Sequence, residues 1–140
     1  MIKFNIVEVI ARQPHLWDLF ETIFGANRKK KRTYREVICD KGRMLDFGCS
    51  TGITTGAFVG CEYYGIDIDK RCIDRAMAKW SNPKNVHFVC ADLLDKPFSE
   101  SFFNFILFAG TGHHLKDKEV DSLLLEMHRI LKPGGNIYFF

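Results

Sequence analysis

The order of apolar and polar positions along this chain changes character once. From about Ile6 to Ile38 the apolar residues recur at helical spacing, and Val9, Leu16, Leu19, Phe20, Ile23 and Phe24 are the positions expected to be buried. Gly25-Ala26-Asn27 marks a break between two helices in that stretch. Beyond it the pattern becomes short apolar runs bounded by turn residues. Arg43–Phe47, Tyr63–Asp67, Val86–Cys90, Phe105–Phe108 and Asn136–Phe140 each read as a strand, the first running into a glycine turn that opens a helix. Arg71–Trp80 carries Ile73, Ala76, Met77 and Trp80 on one helical stripe. Glu119–Leu131 carries Val120, Leu123, Leu124, Met127 and Leu131 in the same way. Asp117 is placed to cap that second helix, Glu119 and Asp121 favour its positive end, and Pro133-Gly134-Gly135 stops it.

Strands that alternate with helices, and that are apolar on both faces, indicate a sheet covered on each side. The expected fold is α/β, a three-layer Rossmann-like sandwich with a mainly parallel sheet. Residues 1–140 form one domain, in which 1–40 is a helical N-terminal segment. No internal repeat, low-complexity tract or linker interrupts it.

Composition narrows the class without naming it. A chain of 140 residues can bury a core of its own, and 46% apolar with 26% charged residues is ordinary for a soluble domain. A net charge of +3 is too small to imply nucleic acid by itself. Five scattered cysteines, Cys39, Cys49, Cys61, Cys72 and Cys90, show neither CxxC nor Cys/His metal-ligand spacing. They read as small apolar residues of a reducing compartment, with no disulfide framework and no metal. The segment Met1–Ile10 is too short and too charged for a signal peptide, and no apolar run is long enough to span a bilayer. The expectation is a soluble, cytoplasmic protein.

Three features carry chemistry. Leu45-Asp46-Phe47-Gly48-Cys49-Ser50-Thr51-Gly52 ends the first strand in a glycine turn, where a ligand can approach the backbone and free N–H groups can meet an anion. The plain alternative is a tight turn with no ligand. Asp67 closes the second strand about twenty residues downstream, where a carboxylate can accept from both hydroxyls of a ribose. Its alternative is a surface acid starting the next helix, a role that Asp69 fills equally well. Cys90-Ala91-Asp92-Leu93-Leu94-Asp95-Lys96-Pro97-Phe98 follows the third strand. There Asp92 and its apolar neighbours could grip an adenine through its exocyclic amine, or Asp92 could be one more loop acid.

Together with His113-His114-Leu115 and the run Glu126-Met127-His128-Arg129-Ile130-Leu131-Lys132-Pro133-Gly134-Gly135, these features resemble the class I S-adenosylmethionine-dependent methyltransferases, in particular the broad group that methylates small molecules. The resemblance covers about Leu16 to Phe140. It implies S-adenosylmethionine as cofactor and methyl transfer to a small-molecule acceptor. It also implies cofactor-binding roles for Asp46, Phe47, Gly48, Cys49, Ser50 and Gly52 at the methionine end, and for Asp67 at the ribose. Ile68 would lie against the adenine, Asp92 and Leu93 would hold its edge, and Ala109 would lie beside the sulfonium. Removing Asp67 should then weaken cofactor binding with little change in stability. Two positions depart from the family's pattern. Ser50 stands where glycine is usual and is tolerable if its backbone angle is ordinary; Asn104 stands where aspartate is usual, away from the cofactor, so its effect should be structural.

Other readings weigh less. A nicotinamide-dependent dehydrogenase wants G-x-G-x-x-G, whereas Gly48, Gly52 and Gly56 have the wrong spacing. A module that binds cofactor but serves a catalytic partner remains an alternative, as does an RNA methyltransferase using the basic run Arg28-Lys29-Lys30-Lys31-Arg32. Ala109-Gly110-Thr111-Gly112, in place of a D/N-P-P-Y-like motif, argues against methylation of exocyclic base amines. His113 or His114 could serve as a general base, but loop histidines that merely pack or cap are commoner, and no catalytic residue is assigned. The family's sheet usually gains a sixth and a seventh strand, which this sequence lacks. Its apolar fifth strand therefore predicts either a portion of a longer protein or a homodimer formed over that edge.

Overall fold

The computed structural model describes residues 25–38, 41–81, 83–110 and 117–140, with 13, 16, 19, 22 and 23. Helix α1 (Ala26–Val37) precedes strand β1 (Arg43–Phe47), and β2 (Glu62–Asp67) leads into α2 (Lys70–Lys79). Strand β3 (Val86–Cys90) and β4 (Phe103–Phe108) follow, then α3 (Asp117–Ile130) and β5 (Leu131–Phe139). The strands form one sheet of order β3-β2-β1-β4-β5, and every pairing is parallel. The chain order reverses between β1 and β4, which opens a crevice beyond their carboxyl ends.

Period-two alternation sends each strand's apolar residues to both faces. Met44, Tyr63, Phe105 and Leu107 pack on one side against Tyr34 and Ile38 of the α1 segment and against Phe58. Leu45, Ile66, Ile106 and Phe108 pack on the other against Leu123, Met127 and Ile130 of α3. Helix α2 begins at an N-cap, Asp69, whose side chain accepts from the Arg71 N–H at 2.9 Å. Among the described residues, no helix is long and apolar enough to cross a membrane.

The structure corrects several expectations. Leu19 and Ile23 are 55% and 69% exposed, because the helix that covers the sheet is α1, through Tyr34. No α-helix follows the glycine turn; Thr55–Ala57 is a single 3₁₀ turn. Threonines and Gly56 disfavour a helix there, and Gly60 bends the chain at φ 99° soon after. Met77 is 49% exposed, and Cys72 joins Ile73 and Ala76 as the buried stripe of α2. The cap expected at Asp117 lies outside what is described, since residues 111–116 and the Asp117 side chain are not among the described ones.

β5 starts earlier than its apolar run. Phe103 pairs with Leu131 but Phe105 pairs with Asn136, so Lys132 to Gly135 bulge out opposite Asn104. Gly134 supplies the left-handed residue at φ 78°. Asn104 Oδ1 accepts from the Arg43 N–H at 3.0 Å and from Lys132 Nζ at 3.1 Å, and so ties β1, β4 and the bulge together. Within the run that precedes β5, Glu126 and Arg129 pair, and the Arg129 guanidinium donates to the Phe98 carbonyl at 2.7 Å.

Gly65 is required by close approach. A Cβ there would lie 2.7 Å from Cys49 Sγ and 2.9 Å from the Phe88 ring. Gly65→Ala should therefore destabilise the fold by about 1–3 kcal/mol through overpacking. Urea unfolding of the two proteins checks this, and an unchanged midpoint would contradict the packing.

Candidate functional site

The glycine turn is bolted to the end of β2. Gly48 and Cys49 both donate their N–H to the Ile66 carbonyl, at 2.9 and 3.1 Å. The Ser50 N–H donates to Asp67 Oδ2 at 2.9 Å, and the Asp69 N–H donates to Asp67 Oδ1 at the same distance. Asp69, not Asp67, caps α2, which leaves Asp67 to hold the turn. Gly48, Ser50 and Gly52 have φ of 74°, 50° and 64°. Ser50 is thus in the left-handed region, contrary to an ordinary backbone angle, and its two hydrogen-bonded flanks hold it there.

Further contacts fix the turn from outside. Trp80, just beyond α2, donates its indole N–H to the Gly52 carbonyl at 2.8 Å, and Arg35 of α1 donates to the Gly56 carbonyl at 2.8 Å. A Cβ on Gly52 would meet the Phe88 ring at 2.9 Å. Trp80 was expected only as part of an apolar stripe, and nothing in its spacing signals the hydrogen bond. Cys49 is buried over Gly65, and burial pushes its thiol far above the ordinary range.

Asp46 lies 4% exposed below the turn, where the Tyr63 hydroxyl donates to its Oδ2 at 2.6 Å. Burial pushes its pKa up to about 7; the Tyr63 hydrogen bond opposes that shift, and the Asp67 charge adds to it. Tyr63 is itself buried, and the same desolvation holds its phenol well above the ordinary value.

A cavity of about 490 Å³ opens at the carboxyl ends of β1, β2 and β3. It is lined by Phe47, Gly48, Ile66, Asp67, Ile68, Ala91 and Asp92, and by Leu94, Glu119 and Leu123. Ile68 is 76% exposed, an apolar side chain standing at the rim. Asp92 accepts from the Leu94 N–H at 2.9 Å and starts a 3₁₀ turn that turns Leu93 into the core. The apolar wall at this point is therefore Leu94. Neither Leu94 nor Glu119 was singled out from sequence, although a buried Leu93 implies that its neighbour faces outward.

The candidates thus fall into four places. Phe47, Gly48, Asp67, Ile68 and Asp92 line the cavity; Asp46, Cys49 and Leu93 lie buried around it; Ser50 and Gly52 shape the turn. Ala109 lines a second cavity, of about 400 Å³, on the α1 side. His113 and His114 lie outside the described residues. Among the described residues, no cluster of three side chains could hold a metal ion.

A parallel sheet with its order reversed at β1/β4, a glycine turn tied to an acid at the end of β2, and an acidic-rimmed cavity of this size define a Rossmann-like nucleoside-binding domain. The chain belongs to the methyltransferase domain family, whose sequence model matches residues 45–139; it is a class I S-adenosylmethionine-dependent methyltransferase domain. It is 33% identical over 101 residues to the biotin biosynthesis bifunctional protein BioHC of Cellvibrio japonicus, covering 71% of this chain and 19% of that protein. It is 32% identical over 114 residues to the demethylmenaquinone methyltransferase of Staphylococcus aureus, covering 77% and 46%. The chain therefore spans less than half the length of either relative. Among solved structures, the PH0226 protein of Pyrococcus horikoshii superposes with a TM-score of 0.71 at 26% identity, over 81% of this chain and 54% of that one. A SAM-dependent methyltransferase of Archaeoglobus fulgidus shares the fold with a TM-score of 0.71 at 23% identity, over 86% and 56%.

The buried Asp46 makes a pH prediction. Its pKa is about 7 in the fold against 3.8 for the ordinary side chain, so between those values the native state holds a proton that the unfolded chain releases. Stability from this group is full below the lower value, falls as pH rises to about 7, and then levels. Asp46→Asn keeps an acceptor for Tyr63 and removes the charge. It should stabilise the cofactor-free chain by up to about 4 kcal/mol at pH 8, with the gain vanishing toward pH 4. Unfolding curves across that range check the sign, and a variant less stable than wild type at pH 8 would contradict it.

Proposed function

We propose that this domain transfers a methyl group from S-adenosylmethionine to a small-molecule acceptor. The observation that carries the reading is Asp67, fixed at the end of β2 by two backbone N–H groups and lining the cavity. Each carboxylate oxygen accepts more than one hydrogen bond, so both keep capacity for the two ribose hydroxyls. Ile68 and Leu94 offer apolar surface to the adenine, with Asp92 at its edge. The turn from Gly48 to Gly52, with left-handed residues at Gly48, Ser50 and Gly52, would take the methionine end, above Asp46. The carboxylates of Asp67, Asp92 and Glu119 suit a ligand with a positive sulfonium.

The cofactor, when bound, supplies an electrophilic methyl group. The chain's own part is to place it: the turn, locked by Trp80 and Asp67, fixes one end, and Ala109 after β4 faces the acceptor side. Orienting an already nucleophilic acceptor in line supplies most of the acceleration without a general base.

Asp67→Ala should weaken S-adenosylhomocysteine binding by about 1–3 kcal/mol, read by calorimetry. Because the carboxylate also serves Ser50 and Asp69, the structure revises the expectation of unchanged stability: about 1–3 kcal/mol of folding energy should go too. Titration is done at a temperature where circular dichroism shows the variant folded. Undiminished affinity there would remove Asp67 from the cofactor site.

A further inference from the structure

A phenol hydroxyl lies where the surrounding side chains ask for none. Tyr63 is 1% exposed, in a cluster with Met44, Phe58, Phe105 and Leu107. Its ring stacks on Phe58 at 5.8 Å and meets Phe88 edge to face at 5.8 Å. A phenylalanine would make the same contacts. A buried hydroxyl costs stability unless it finds a partner, and here that partner is Asp46 Oδ2 at 2.6 Å. The buried Thr55 hydroxyl, otherwise unpartnered among the described residues, lies beside the phenol. Thr55, Tyr63 and Asp46 thus form a polar group inside an apolar cluster, a pattern that packing alone does not require.

Asp46 stands near the carboxyl end of β1, two residues before Gly48, with Leu107 of β4 and Gly65 of β2 as its register partners. The titratable groups that act on it are Tyr63 of β2, Asp67 at the end of β2, and Cys49 of the turn. None of the three is a cation. Burial pushes the Asp46 pKa up to about 7, the Asp67 charge adds to that rise, and the Tyr63 hydrogen bond opposes it. Desolvation holds the phenol itself well above its ordinary value, so it stays a donor throughout the neutral range. A donor of this kind favours the charged form of the acid it touches. The methionine end of the cofactor carries an ammonium, which is the countercharge that this carboxylate lacks.

From this we infer that Tyr63 is a positioning residue for the cofactor: its hydroxyl, backed by Thr55, holds Asp46 as the carboxylate that meets the methionine ammonium, and cofactor binding is thereby coupled to release of a proton from Asp46 to solvent. The inference rests on the cofactor reading above, which places the methionine end over Asp46. Below neutrality the empty site holds Asp46 protonated, and the ammonium binds only after that proton leaves. Tyr63 acts through Asp46 and sets the pH at which the exchange becomes easy.

The test is calorimetric titration of the whole 140-residue chain with S-adenosylhomocysteine, which keeps the ammonium, at about pH 6 and about pH 8. Two buffers of different ionisation heat at each pH count the protons released. The wild type should bind about tenfold more weakly at the lower pH, releasing about one proton there and almost none at the higher. Tyr63→Phe keeps the ring and loses a hydrogen bond to a charged group, so the transition should move up by about one pH unit. Its affinity should then fall about tenfold at the lower pH but only about twofold at the higher. Asp46→Asn should lose both the pH dependence and the proton. Circular dichroism at each pH shows that every variant is folded. Wild-type affinity that is equal at both pH values, or proton release that survives in Asp46→Asn, would overturn the inference. So would Tyr63→Phe weakening binding by the same factor at both, because a merely structural tyrosine acts without regard to pH. If the folded wild type fails to bind even at the higher pH, the cofactor reading itself falls; binding there without proton release at the lower pH removes only the coupling.

Discussion

One carboxylate holds the site together. Asp67 accepts from Ser50 on one oxygen and from Asp69 on the other, so it joins the turn after β1 to the start of α2. Without that clamp Ser50 has little reason to stay in the left-handed region at φ 50°, and the Gly48–Gly52 backbone loses its shape. The clamp works because Ile66, next to Asp67, also accepts from Gly48 and Cys49. The parallel register of β1 on β2, with Phe47 opposite Ile66, is what brings the two segments to the same height. Sheet geometry thus fixes the turn, and the turn gives the cavity its floor.

Around that clamp the fold distributes charge unevenly. The first cavity has three carboxylates, while α1 lines the second with lysines. Asp46 sits beneath the turn, buried, with the Tyr63 hydroxyl donating to it, and desolvation, helped by the Asp67 charge, raises its pKa. A residue that weakens the empty fold at neutral pH, in a place where a ligand would meet it, follows the usual trade between stability and function.

Much of this was legible in the sequence, for identifiable reasons. The strands showed because their apolar runs are bounded by turn residues, and Asp67 showed because its distance from the glycine turn is set by one crossover. The missing helix after the turn was not legible from a motif that usually opens one; only the local threonines and glycines betray it. The early start of β5 was hidden because its first residues form a bulge around Pro133 and Gly134, where side-chain alternation breaks. Trp80 and Tyr63 looked like core residues and are core residues, but each also spends its polar atom on the site. Such bonds depend on tertiary placement, which periodicity does not encode.

The central claim is that the adenosyl part of the cofactor occupies the cavity at the ends of β1, β2 and β3. A crystal structure of the chain with S-adenosylhomocysteine tests it most directly. The account predicts both ribose hydroxyls within hydrogen-bond distance of Asp67, the adenine between Ile68 and Leu94, and the sulfur directed toward Ala109. Well-defined ligand density elsewhere on the molecule, with this cavity holding only solvent, would contradict it.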